Sequence, residues 1–393
     1  IPFAAMADFL SSAINPNMGG GEHLPNYVER QVVDWCKEML GFPLDSSGLI
    51  ASGGSMANFT GLAVARNVMA GFNVRDEGVA AAPQPMTVYA SVETHSSNYK
   101  AVEQLGLGKN QMRFIPVNEK NVINIQALEE KLKEDKANGF KPICIIANAG
   151  TTNTGAIDDL NAIADICERE KIWFHVDGAF GALVAITEKY KHLVDGMERA
   201  DSLAFDLHKW MYMPFEAACI LIRDFDHHLD TFTVSPDYLS HMPRGLAGGE
   251  HAWFGDMGLQ LTRGFKALKI WMSIKAYGLD HFAKQIEQDI DNAKYLASEV
   301  IDHPNFEILD NIPLNIVCFC YVNPALSEDE LDNFNLEILM RLHERGLAVP
   351  SYTKLRGKFA LRVSITNHRS KRSDFDFLLE KIGEIAEEMI QEK

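Results

Sequence analysis

Residues 172–179 read Ile-Trp-Phe-His-Val-Asp-Gly-Ala, and residues 143–150 read Ile-Cys-Ile-Ile-Ala-Asn-Ala-Gly. Neither stretch alternates. A strand with one wet face switches between apolar and polar positions, whereas a strand covered on both faces is apolar throughout. The two stretches are therefore read as strands of a mostly parallel central sheet flanked by helices, an α/β architecture. Similar apolar runs occur at 48–51, 86–91, 112–117, 142–148, 172–177, 202–207 and 218–223. Helical periodicity falls between them. It predicts a helix over 26–40, capped by Asn26 and Glu29 and stopped by Gly41, and further helices over 125–137 and 159–170.

The texture changes after about residue 225. Residues 231–258 are rich in Gly, Pro, His and Ser and have no period, which reads as a long functional loop. Helical stretches follow at about 259–277 and 280–301. Strands are expected near 306–310, 315–322 and 358–365, with helices at about 327–345 and 370–392. This tail reads as a smaller α+β C-terminal domain.

Composition excludes several classes. The chain has 393 residues, 47% hydrophobic and 23% charged, which is ordinary for a globular protein and long enough for a large core. No apolar run approaches the roughly 18 residues of a membrane span. The formal charge of −17 and the lack of a basic run argue against nucleic acid as a partner. Six cysteines lie scattered in apolar segments with no CxxC, so free buried thiols in a reducing, cytoplasmic setting are expected. There is no GxGxxG, no GxxxxGK[ST], no HExxH and no EF-hand loop, and so no signature for nicotinamide, nucleotide or metal.

Four features carry chemistry. Ser52-Gly53-Gly54-Ser55 follows the run 48–51 and opens a helical stretch. Glycines let an anion approach the backbone, a helix N-terminus supplies free N–H groups, and Ser55 adds a hydroxyl: a phosphate cradle. His95 lies just past the run 86–91. Asp177 ends the run 172–177, at the edge where open α/β sheets bind ligands. Lys209 follows the run 202–207 beside Trp210, Met211 and Tyr212, where partial desolvation favours a nucleophilic amine. Each has a plain reading alone: a capped turn, a surface or capping histidine, a turn-initiating aspartate, a snorkelling lysine. Together they are the parts that hold pyridoxal 5′-phosphate: a phosphate cradle, an aromatic stacker, an acid for the pyridine nitrogen and a Schiff-base lysine.

At these residues the sequence resembles the group II pyridoxal-phosphate-dependent amino-acid decarboxylases, the group containing aromatic-L-amino-acid decarboxylase. The segments 147–155 (ANAGTTNTG), 173–180 (WFHVDGAF) and 206–210 (DLHKW) carry the resemblance, which runs from near residue 2 through at least 275. It implies a fold type I enzyme, a homodimer with shared active sites, and a small-molecule amino-acid substrate. Lys209 matches the Schiff-base lysine, Asp177 the acid at the pyridine nitrogen, Ala179 the small residue under the ring and His95 the residue stacked on its other face. Thr152 matches a threonine beside the cofactor. Gly54, Ser55 and His208 match positions at or near the phosphate. Asp206 stands where some relatives have Asn, and a carboxylate there would repel a phosphate. Gly178 replaces a commoner Ala, a change expected to matter little. Arg263 matches a family arginine near the site, with a structural role as the other reading.

The resemblance also gives the loop a meaning. Ser235-Pro236-Asp237-Tyr238-Leu239 is similar to the start of the family's catalytic loop, which implies that Tyr238 protonates Cα after carbon dioxide leaves, in the neighbouring subunit's site. With both Tyr238 and His95 present, simple decarboxylation of an L-amino acid, aromatic by preference, is expected. The alternatives are an aldehyde synthase, a decarboxylase of an acidic amino acid and a non-catalytic cofactor-binding homologue. The expected division is a large cofactor domain over 1–268 and a small domain over 269–393. The start at Ile1 is read as lacking the family's N-terminal segment.

Overall fold

The computed structural model describes residues 1–234, 242, 244–248 and 251–392. The apolar runs become β1 (Ser47–Ala51), β2 (Met86–Ser91), β3 (Met112–Ile115), β4 (Lys141–Asn148), β5 (Trp173–Asp177), β6 (Ser202–Asp206) and β7 (Ala218–Ile222). They form one seven-stranded sheet in the order β1-β7-β6-β5-β4-β2-β3. Neighbouring pairs from β3 to β6 are parallel, and β7 runs antiparallel to both β6 and β1. Every residue of β5, β6 and β7 is buried, which is why these strands are apolar on both faces. Helices Gly54–Met69, Ile125–Ala137 and Leu160–Glu170 pack on this sheet.

The chain forms two compact units. The first comprises Ile1–Thr151 and Ile157–Ala283, and the second Thr152–Ala156 and the chain from Lys284 onward. The second unit contains β8 (Phe306–Ile308), β9 (Ile316–Tyr321), β10 (Ser351–Leu355) and β11 (Lys358–Ser364). These form an antiparallel sheet in the order β10-β11-β9-β8. Helices Glu328–Glu344 and Arg372–Gln391 cover it through a core that includes Val317, Phe319, Ile338, Leu342, Phe375 and Ile382.

Three expectations are corrected. The helix over 26–40 begins at Leu24, after His23, with Pro25 in its first turn. Asn26 and Glu29 do not cap it. Asn26 Nδ2 donates to the Gly21 carbonyl at 2.7 Å, and Glu29 is fully buried against Arg263. The helix expected from 259 begins at Ala267. Its missing first turns are used elsewhere: the Arg263 N–H donates to Asn17 Oδ1 at 3.1 Å, and the Arg263 carbonyl accepts from Met18 N at 2.9 Å. Three helices of eight or more residues, Pro2–Ile14, Ser96–Gln104 and Phe225–Phe232, and strand β10 have no counterpart among the expected elements.

Candidate active site

The parallel strands bring their carboxyl ends to one edge of the sheet. Asp177 is the last residue of β5 and Asp206 the last of β6, and the register pairs Asp177 with Ala204. β1 ends at Ala51 on the same edge, since both Ala51 and Asp206 pair with Ala218. β2 ends at Ser91, four residues before His95. A parallel sheet thus gathers residues distant in sequence where ligands bind in such folds.

Asp177 is 4% exposed. Its Oδ2 accepts from Asn58 Nδ2 at 2.9 Å and from Asn98 Nδ2 at 2.8 Å, and its Oδ1 accepts from Ala179 N at 3.2 Å. All three donors are neutral. A buried carboxylate held this way still favours a cation nearby. His95 is exposed and precedes helix Ser96–Gln104, where its Nδ1 accepts from Ser97 N at 3.2 Å and meets Ser97 Oγ at 2.8 Å. The histidine is therefore a helix cap, with its ring orientation set by that cap.

Lys209 lies in the short helix Leu207–Trp210, directly after β6. Its Nζ is 2.9 Å from Asp206 Oδ2, and His208 Nε2 is 3.6 Å from the same oxygen. Asp206 thus directs its charge at the lysine. Its second oxygen, Oδ1, is buried with no hydrogen-bond partner. His208 Nδ1 accepts from Ala217 N at 3.3 Å, and burial lowers the pKa of the ring, so it is neutral near pH 7.

The glycine turn meets these groups. A Cβ on Gly54 would stand 3.0 Å from Asp206 Oδ2 and 3.1 Å from Ala179 Cβ, and one on Gly53 would stand 3.7 Å from His208 Cε1. Helix Gly54–Met69 opens at this point with no side-chain cap, so its first N–H groups are available to an anion. Ser55 is exposed in its first turn. Gly178 is not neutral: a Cβ there would lie 2.7 Å from Ala182 Cβ, so alanine would require a shift.

Two expected residues have other partners in the structure. Thr152 belongs to the second unit, where its carbonyl accepts from the Arg362 guanidinium. The Arg263 guanidinium is buried over the Phe254 ring and donates to Glu29 Oε1 and the Ile50 carbonyl, both at 2.6 Å. Tyr238 lies outside the described residues.

Residues 2–322 match the model of the pyridoxal-dependent decarboxylase conserved domain. The chain belongs to this family. The decarboxylase is 36% identical over 387 residues to the aromatic-L-amino-acid decarboxylase of Bacillus atrophaeus, covering 98% of this chain and 78% of that one. It is 28% identical to the acidic amino acid decarboxylase GADL1 of Homo sapiens, over 98% of this chain and 76% of the relative. The crystal structure of Oryza sativa TDC with PLP and tryptamine superposes with a TM-score of 0.92 at 27% identity, covering 98% of this chain and 81% of that chain. The cofactor of this amino-acid decarboxylase is pyridoxal 5′-phosphate.

The residues present fit that group. Asp177 is a buried carboxylate that forms no ion pair with a side chain among the described residues, as a partner for a protonated pyridine nitrogen requires. The Gly53–Gly54 turn leaves space that any side chain would fill. Sequence reasoning missed Asn58 and Asn98, the residues that hold Asp177. Asn58 sits four residues after Gly54, one turn further along the same helix face, and that spacing was the available signal.

Proposed function

We propose that this protein decarboxylates aromatic L-amino acids to the amine and carbon dioxide. The carrying observation is Asp177 and the Lys209–Asp206 pair, set on the carboxyl ends of adjacent parallel strands. Identity to the Bacillus atrophaeus enzyme supports the aromatic preference. So does Arg263: a cation an acidic side chain could have used is already bound to Glu29.

Lys209, Asp177, His95, Ala179, Gly54, Ser55 and His208 are the residues assigned to hold pyridoxal phosphate. Bound there, the cofactor supplies an electron sink for the pair left behind when carbon dioxide departs. Asp177 holds a proton at the pyridine nitrogen. Lys209 must shed a proton before its amine can act, and Asp206 Oδ2, 2.9 Å away, is positioned to take it. Helix Gly54–Met69 would offer its free N-terminal N–H groups to the phosphate. Tyr238 is assigned the proton delivered to Cα.

The test is a screen of the holoenzyme against tryptophan, phenylalanine, tyrosine, glutamate and aspartate. Equimolar amine and carbon dioxide from an aromatic substrate is the expected result. Aldehyde with ammonia and peroxide, or preferential turnover of glutamate or aspartate, would overturn it. Asp206→Asn removes a negative charge beside the phosphate cradle. We expect it to tighten cofactor binding about tenfold in equilibrium dialysis, a modest share of the repulsion between close charges, and to slow turnover by loss of the proton acceptor.

The reading includes a homodimer in a cytoplasmic setting. Helix Pro2–Ile14 buries Ala4 and Ala7 but leaves Phe9 76%, Ile14 61% and Met6 56% exposed. An apolar face of that kind is suited to a second copy of the chain. Phe9→Glu with Met6→Glu is expected to shift the species in light scattering from dimer to monomer. The six free, buried cysteines suit a reducing compartment. Among the described residues no helix is long and apolar enough to cross a membrane.

A further inference from the structure

Behind Asp177 runs a buried chain of hydrogen bonds that the assigned roles leave unused. Trp173 Nε1 donates to Ser202 Oγ at 2.8 Å, and Ser202 Oγ meets His175 Nδ1 at 2.7 Å. His175 Nε2 meets Asn58 Oδ1 at 2.9 Å, and Asn58 Nδ2 donates to Asp177 Oδ2 at 2.9 Å. His175 and Asp177 are two apart on β5 and so share a face.

The ends of the chain fix its direction. An indole N–H only donates and an ionised carboxylate only accepts. Ser202 therefore receives from Trp173 and gives its own hydrogen to His175 Nδ1. His175 is left as the neutral tautomer with its hydrogen on Nε2, which donates to Asn58 Oδ1. Burial independently keeps this ring neutral, lowering its pKa to about 4. Every dipole in the chain points toward Asp177, and aligned hydrogen bonds strengthen one another.

Asn58 also has a second hydrogen. Its Nδ2 lies 3.3 Å from Ser97 Oγ, and Ser97 Oγ lies 2.8 Å from His95 Nδ1. Because Ser97 accepts from Asn58, its own hydrogen goes to His95 Nδ1, which leaves the ring hydrogen of His95 on Nε2. The packing is made for this route. A Cβ on Gly61 would stand 2.8 Å from His175 Cε1 and 3.2 Å from Ser202 Oγ.

We propose that Asn58 is a positioning residue of the active site, the junction through which the Trp173–Ser202–His175 chain holds the Asp177 carboxylate and through which Ser97 sets the tautomer of His95. The proposal rests on the assignment of Asp177 to the pyridine nitrogen.

The test uses holoenzyme loaded with cofactor labelled with ¹⁵N at the pyridine nitrogen, in wild type, Asn58→Leu, Ser202→Ala and Asp177→Ala. In Asn58→Leu the titration of that nitrogen moves down by about one pH unit, the equivalent of tenfold in proton affinity. Its kcat falls about 10- to 100-fold, the scale of one hydrogen bond to a charged group, while KM stays within about twofold of wild type. Ser202→Ala cuts the chain away from the cofactor and moves both readouts in the same direction by a smaller amount. It carries the test if Asn58→Leu does not fold. If Ser202→Ala, and Asn58→Leu where it folds, leave the nitrogen signal and kcat unchanged while Asp177→Ala loses the protonated form, the junction role is wrong and the Asp177 assignment stands. If Asp177→Ala keeps the protonated nitrogen, the assignment itself fails.

Discussion

Lys209→Ala is expected to abolish carbon dioxide release, with kcat lower by at least about four orders of magnitude, the scale on which enzymes depend on a positioned nucleophile. The neighbouring lysines are engaged elsewhere. Lys266 pairs with Glu216, and Lys269 is buried between Asp8 and the Phe215 carbonyl. A second readout is borohydride treatment followed by intact mass. Wild type retains a covalently fixed cofactor and the variant does not. Truncation also leaves Asp206 buried without its cation, so Lys209→Ala is expected to melt at a lower temperature. Lys209→Arg separates the two effects. It keeps a cation on Asp206 and the fold, but a guanidinium cannot shed its proton to become the attacking amine. A folded, inactive Lys209→Arg assigns the loss to chemistry. Activity or fixed cofactor in either variant would remove Lys209 from its role.

The sheet was legible because burial on both faces leaves a continuous apolar run. Expected strand limits fall within two residues of those observed throughout β1 to β7. β10 was not legible. Its sequence, Ser-Tyr-Thr-Lys-Leu, lies at the edge of the second sheet and is mostly exposed, so it carries neither a run nor a clean alternation. Helix Pro2–Ile14 was not legible either, because its exposed face is as apolar as its buried one and no helical period stands out.

At the site, residue types at strand ends pointed to Lys209, Asp177 and His95. The contacts that orient them were hidden, because hydrogen bonds across the fold leave no periodicity. Asn58 and Asp177 are 119 residues apart in sequence. The Asn26–Glu29 pair shows the converse. Its spacing reads as a local cap, but tertiary partners claimed both side chains.

The same burial that shapes the site makes the fold acid-sensitive. His175 and His228 are fully buried, and burial lowers both pKa values to about 4 from an ordinary 6.5. His228 is locked between Ser47 Oγ at 2.7 Å and the Met257 carbonyl at 2.8 Å. In both rings the folded-state pKa lies below the unfolded one. Their contribution is therefore fully present above about pH 6.5, shrinks as pH falls and levels off below about pH 4, because the unfolded chain takes up protons that the folded one refuses. At pH 5 each histidine costs roughly 2 kcal/mol relative to pH 7.5, a large part of a net stability of about 5–15 kcal/mol. Buried Asp158 and partly buried Asp201, whose pKa values are raised by desolvation, act with the opposite sign, so the effect is best isolated by difference. Thermal melts of wild type and His228→Gln at pH 7.5 and 5 do this. Glutamine cannot take up the proton, so we expect the gap between wild type and His228→Gln to narrow on acidification by about 2 kcal/mol, or several degrees. A gap of equal size at both pH values would mean that His228 takes up its proton in the folded protein as readily as in the unfolded chain.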